Sequence, residues 1–241
     1  MNARADIPWS RIFAEGTAVV ASILLAFAID AWWHERQERV EEQRVLADLE
    51  EEFLAIRGVL SAHASETRQG LEALENFLRE FETGPSADAG AIVEATLLEM
   101  LNPQTSDVGN GTLEALLSSG RLDILEDREL RAQLAGWKGV ISEVWDDQAS
   151  HSKMVFETFI PYFVEERIPA GVLIRQWQKE WAAPVTALGE DPDLVARVLA
   201  DERMRVLAQF RYGYKLHTAE EFDIVIAAVD ALLANIEASL D

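Results

Sequence analysis

Cysteine is absent from the 241 residues of this chain. Its absence removes disulfides, thiolate metal sites and cysteine nucleophiles together. Cationic side chains are scarce as well: 21 lysines and arginines stand against 43 aspartates and glutamates, a formal net charge of −22. A phosphate backbone is met by lysine and arginine, so this balance argues against nucleic acid as a partner and against broad contact with anionic lipid. Alternating apolar and polar runs of useful length are missing too, which leaves no strand pattern and predicts an all-α protein.

Against that acidic background one apolar stretch stands out, Ile12–Trp33. Its roughly 22 positions make a helix of about 33 Å, against a hydrocarbon core of about 30 Å. The sequence therefore predicts a short tail over 1–11, a transmembrane helix over 12–33, a helical stalk over 34–82 and a helical bundle over 83–241 that packs with the stalk. Trp9 precedes the span and Trp32 and Trp33 close it, as indole rings do at the two headgroup levels. Glu15 and Asp30 lie near its ends, so the uncharged run is Gly16–Ile29, about 21 Å of helix, and both carboxylates belong near the interfaces. A cleaved leader is the competing reading, because Ala26-Phe27-Ala28 is a small-x-small pattern behind an apolar region; Glu15 inside that region speaks against it.

Beyond the span the apolar period is helical. Leu46, Leu49, Phe53, Ile56 and Leu60 follow in steps of three and four, and Leu74, Phe77 and Phe81 resume the spacing. His63, Thr67 and Gly70 form a polar interruption in this seam. No turn signal separates Trp33 from Val40, so the anchor runs straight into the stalk. Glu82–Asp88 is a turn cluster, and a short helix is expected over 91–101, ended by Asn102-Pro103. A loop over 104–111 leads to a helix capped by Thr112 and stopped by Gly120. Further helices are expected over 126–166, with a kink at Pro161, and over 170–182, 193–210 and 218–240. Thr218 and Glu221 have the spacing of a capping box opening the last of these, with Phe222, Ile226, Val229 and Leu233 on one side.

Two stretches carry a family resemblance. One is Ala14-Glu15-Gly16 through Ile23–Trp32, followed by Glu35-Arg36 and by Leu46, Asp48 and Leu49; the other is Leu116–Leu125 with its Leu-Ser-Ser-Gly core, followed by Leu130-Arg131. Together they resemble a family of uncharacterised bacterial single-pass membrane proteins, in which an acid opens the apolar helix, isoleucine with asparagine or aspartate closes it, and tryptophan follows. The resemblance implies an architecture and no reaction. Basic flanks tie here, Arg4 and Arg11 against Arg36 and Arg39, so the positive-inside rule does not choose an orientation. The family pattern does, implying the bacterial inner membrane, a short cytoplasmic N-terminus and a periplasmic body.

Candidate chemistry is sparse. Ala14, Ala18, Ser22, Ala26 and Asp30 recur every four residues, a ridge along which a second membrane helix packs closely. Glu143, Asp147 and His151 share a helical face as metal ligands would, but solvated acidic helices produce this spacing by chance and no second ligand helix matches it. Ser118 and Ser119 lack the context of a nucleophile elbow, and Gly109-Asn110-Gly111 lacks the lysine and strand of a phosphate cradle. Trp137, Trp145, Trp177, Trp181, Phe156, Phe159, Tyr162 and Phe163 make an aromatic middle, a core or else a groove for an apolar ligand. The expectation is a non-enzymatic membrane-anchored interaction or scaffold protein without a cofactor, an accessory subunit of a larger bacterial membrane complex. It meets the bilayer through one helix and a membrane protein, or its own copy, through the ridge. The alternative is a periplasmic ligand-binding or sensor domain acting through a separate membrane partner.

Overall fold

The computed structural model describes residues 9–103, 109, 111–169 and 188–240, with side chains from Thr17 onward except at 18, 19, 143, 147 and 188. Helix accounts for nearly all of these residues and strand for none, so the all-α expectation holds. The helices are α1 (Trp9–Thr83), α2 (Ala89–Met100), α3 (Gly111–Ser119), α4 (Arg128–Met154), α5 (Ile160–Glu165), α6 (Pro192–Ala200) and α7 (Glu202–Leu240). The segments expected as span and stalk are one helix: α1 runs 75 residues without a break, about 112 Å at the α-helical rise.

The body is built on α1 and α7, which lie side by side with α4 against α7 and the shorter α2 and α3 against α1. The seam of threes and fours is buried as expected. Leu46, Leu49, Phe53, Ile56 and Leu60 join Trp137 and Ile141 of α4 and Phe222, Val225, Val229 and Ile236 of α7 in one apolar cluster. Phe53 meets Trp137 edge to face at 5.2 Å. Each such large side chain withdrawn from water contributes about 1.5–3 kcal/mol. A second cluster gathers Leu74 and Phe77 with Val93, Leu97, Phe159, Tyr162, Leu194 and Met204.

The connections use the acid surplus. Glu52 of α1 accepts from the backbone amides of Thr112, at 2.6 Å, and Leu113, at 3.1 Å, so a carboxylate from across the fold serves the start of α3. The expected hydroxyl cap at Thr112 is thereby corrected: α3 already begins at Gly111. Glu42 takes the amide of Glu126 and Glu80 that of Ser86, both at 2.6 Å. Gly84 and Gly120 sit at positive φ, 85° and 70°, where a side chain would be strained. Both are the turn residues the sequence indicated.

Two helix boundaries differ from expectation. The kink awaited at Pro161 takes the form of a π-helical turn over Val155–Phe159 with proline inside the first turn of α5; proline offers no amide to the preceding turn, and the wider turn absorbs the loss. The break expected between 210 and 218 is absent, and α7 is continuous. The chain turns instead at Asp201, in extended conformation (φ −89°, ψ 106°), where the carboxylate accepts from Arg203 N at 2.8 Å. Thr218 caps nothing: its hydroxyl donates back to Tyr214 O at 3.1 Å, the habit of an interior helical threonine. The helix expected over 170–182, with Trp177 and Trp181, lies outside the described residues.

Among the described residues no helix is long and apolar enough to cross a membrane. The backbone of the expected span 12–33 is helical throughout, but the side chains of 12–16, 18 and 19 lie outside the described set. The remainder is cut short by Asp30 and then by His34, Glu35 and Arg36.

Candidate functional site

Between the two apolar clusters the seam of α1 passes through Thr67 and Gly70, and there the core turns polar. Glu99 from α2 meets Arg211 and Lys215 from α7. Both cations are 0 % exposed and the carboxylate 8 %. Glu99 Oε1 accepts from Arg211 Nε at 3.2 Å and Nη2 at 3.0 Å and lies 2.9 Å from Lys215 Nζ. Arg211 Nη2 also donates to the backbone oxygens of Glu99, at 3.1 Å, and Asn102, at 2.5 Å, closing the end of α2. The guanidinium lies over the Phe159 ring of the π-helical turn, 5.9 Å from its centroid. Its Nη1 has no acceptor among the described residues.

Burial pushes the Lys215 ammonium below its ordinary value, and the attraction of Glu99 only partly offsets this. The same desolvation lowers Arg211. Gly70 makes the arrangement possible: a Cβ there would lie 2.4 Å from Glu99 Oε2 and 2.8 Å from Lys215 Nζ. Only a residue without a side chain lets the ion pair sit against α1. One helical turn along α7, Thr218 Oγ1 lies 3.3 Å from His151 Nε2 of α4, and Thr96 donates to Ala73 O at 3.2 Å. Outside the layer, a groove of about 590 Å³ runs between α1 and α2 past Glu66, Gln69, Gly70, Glu99 and Asn102.

This constellation ties three elements together at one height of the bundle. Sequence reading found the interruption in α1 but not its partners. A signal existed: Met204, Ala208, Arg211, Lys215, Thr218 and Phe222 follow one another by threes and fours, which places two cations on the stripe that α7 buries.

The expected site residues are distributed otherwise. Ser22, Ala26, Asp30, Trp32 and Trp33 are exposed along the free end of α1; Trp32 and Trp33 tilt against each other at 6.4 Å, and His34 Nε2 lies 3.6 Å from Asp30. The side chains of Trp9, Ala14, Glu15 and Ala18 lie outside the described set, as do those of Glu143 and Asp147. His151 is buried beside Thr218, and among the described residues no group of acids and histidines is placed to hold a metal. Ser118 and Ser119 donate to Ala115 O. Phe159, Tyr162 and Phe163 are core, and among the described members of that aromatic group only Phe156 stands exposed.

No family model matches the chain, nor does any curated protein or solved structure.

Proposed function

We propose that the protein is a non-enzymatic membrane-anchored interaction protein, an accessory subunit that fastens to a bacterial membrane assembly through the free end of α1 and holds a helical body above it. One observation carries the reading. Val20, Ile23, Leu24, Leu25, Phe27, Ile29, Trp32 and Trp33 project from every side of a helix that has left the bundle behind, each more than half exposed. An apolar surface of this extent requires cover, and lipid or an apolar partner supplies it. Resemblance to the bacterial single-pass family supports placing the short N-terminus in the cytoplasm and the body in the periplasm. The net charge of −22 supports a protein partner rather than nucleic acid.

The test is extraction. Membranes bearing the full chain are washed with alkaline carbonate, then solubilised in mild detergent for native mass spectrometry. Retention through the wash and recovery in a stable heteromeric complex fit the proposal. Release by carbonate, or recovery as a lone monomer from several mild detergents, overturns it. A second reading, a ligand-binding sensor, is favoured by the groove over Gly70 and Glu99, and ligand-dependent stabilisation of the full chain would support it.

A further inference from the structure

The outer face of α1 carries a row that the bundle does not use. Past Trp33, the large apolar side chains of α1 that stand exposed are Val40, at 55 %, and Leu54, at 52 %. Trp33, Val40, Ala47 and Leu54 are spaced by seven, and Ala26 extends the row toward the N-terminus. At about 100° per residue this row lies roughly opposite the Leu46–Leu60 seam, so the body is on one side of the helix and the row on the other. Gly58, one turn beyond Leu54, has open space above it. A groove of about 460 Å³ follows the row past Trp33, Arg36, Gln37, Val40, Glu41 and Arg44.

We propose that a second copy of this chain docks along the row, α1 against α1 in parallel. A row that repeats every seven residues drifts only about 20° per repeat around the helix, so it meets the equivalent row of a second copy along its length. One charge pair is self-complementary. Arg36 has no partner within its own chain among the described residues, and Glu41 stands five residues on, the separation at which flanking positions of two parallel helices meet. Glu41 Oε1 serves Arg121, leaving Oε2 for the partner's Arg36. Parallel approach follows from the anchored reading proposed above, because copies inserted alike point alike. Body and row being on opposite faces, a two-fold axis along the helices brings the rows together with the bodies outside. From Ala26 to Leu54 the contact extends about 42 Å.

The chain has no native cysteine, so single cysteines report the geometry directly. In membranes bearing the full chain, Val40→Cys, Ala47→Cys and Leu54→Cys should form disulfide-linked dimers several-fold more readily than Glu38→Cys or Arg39→Cys, which lie off the row. Leu54→Glu should shift the detergent-solubilised chain from dimer to monomer mass while its far-ultraviolet circular dichroism remains that of the folded helical chain, since Leu54 belongs to neither apolar cluster. Equal or negligible yields at all five positions, or a monomer at every concentration, overturns the proposal. Carbonate retention of the same membranes is scored separately. A retained chain with no seven-residue pattern sinks the pairing alone, whereas a released chain that still crosslinks by sevens sinks the anchor alone.

Discussion

Replacing Glu99 by glutamine removes one charge and almost no volume, and it isolates what the polar layer does. Its carboxylate is the acceptor shared by Arg211 and Lys215, both fully buried. Without it two cations are enclosed with no counter-charge from α2. Breaking a buried pair by removing one partner costs about 3–5 kcal/mol. With a urea slope of about 2 kcal/mol/M, the midpoint should fall by roughly 1.5–2.5 M at unchanged slope. The assay is urea unfolding of the full chain in mild detergent, followed by far-ultraviolet circular dichroism. The pH dependence has a definite sign. Lys215 is held below its ordinary pKa in the folded protein, so its charged form opposes folding; the cost is present at low pH and lifts as pH rises from the folded value toward the unfolded one near 10.4. In Glu99→Gln the counter-charge is gone and the relief should be larger, so the variant should recover part of its loss as pH rises toward the unfolded value. Simultaneous replacement of Glu99, Arg211 and Lys215 by methionine should instead be neutral or stabilising, by up to about 4 kcal/mol. A midpoint shift under about 0.5 M for Glu99→Gln would show that the cations find other partners, and the account of the layer would be wrong.

Tyr162→Phe removes the hydrogen bond to Asp201, 2.5 Å long, and should cost about 1–2 kcal/mol at pH 7. Burial and Asp201 hold the Tyr162 hydroxyl well above its ordinary pKa of 10.0, so its contribution is complete below pH 10 and is lost above it; the gap between wild type and variant should narrow in alkali, as urea midpoints from pH 8 to 11 would report. Glu52→Gln weakens the acceptors for Thr112 and Leu113 and should lower stability by about 1 kcal/mol, with faster hydrogen exchange confined to the start of α3. Gly90→Ala places a Cβ 2.3 Å from Gly189 O, a backbone atom that cannot rotate away. The 3-10 turn at Leu188–Glu190 should then detach from α2, read as lost exchange protection at Gly189, whose amide is held by Glu94 at 3.0 Å.

How far the sequence announced this structure depends on the element. Leu46 through Phe77 repeat by threes and fours, a local pattern, and their burial was legible. Gly84 and Gly120 were legible because positive φ selects glycine. Thr218 misled: its spacing to Glu221 is that of a cap, but the row from Met204 to Phe222 continues through it, and buried packing outweighs an alternative cap. The turn at Asp201 carried no proline or glycine and rested on one aspartate. The partners of Glu99 lie 112 residues or more away along the chain, and no local period records a meeting between separate helices. What α7 did record was two cations on its buried stripe.

One consequence follows from the unbroken course of α1 through Trp9–Thr83. A helix without a break couples its two ends more tightly than two helices joined by a loop would. Part of any twist or tilt imposed beside the indoles of Trp32 and Trp33 is carried along it toward Gly70, where the backbone bears directly on a salt-linked lysine. The molecule thus has the makings of a lever whose far arm rests on its least forgiving contact.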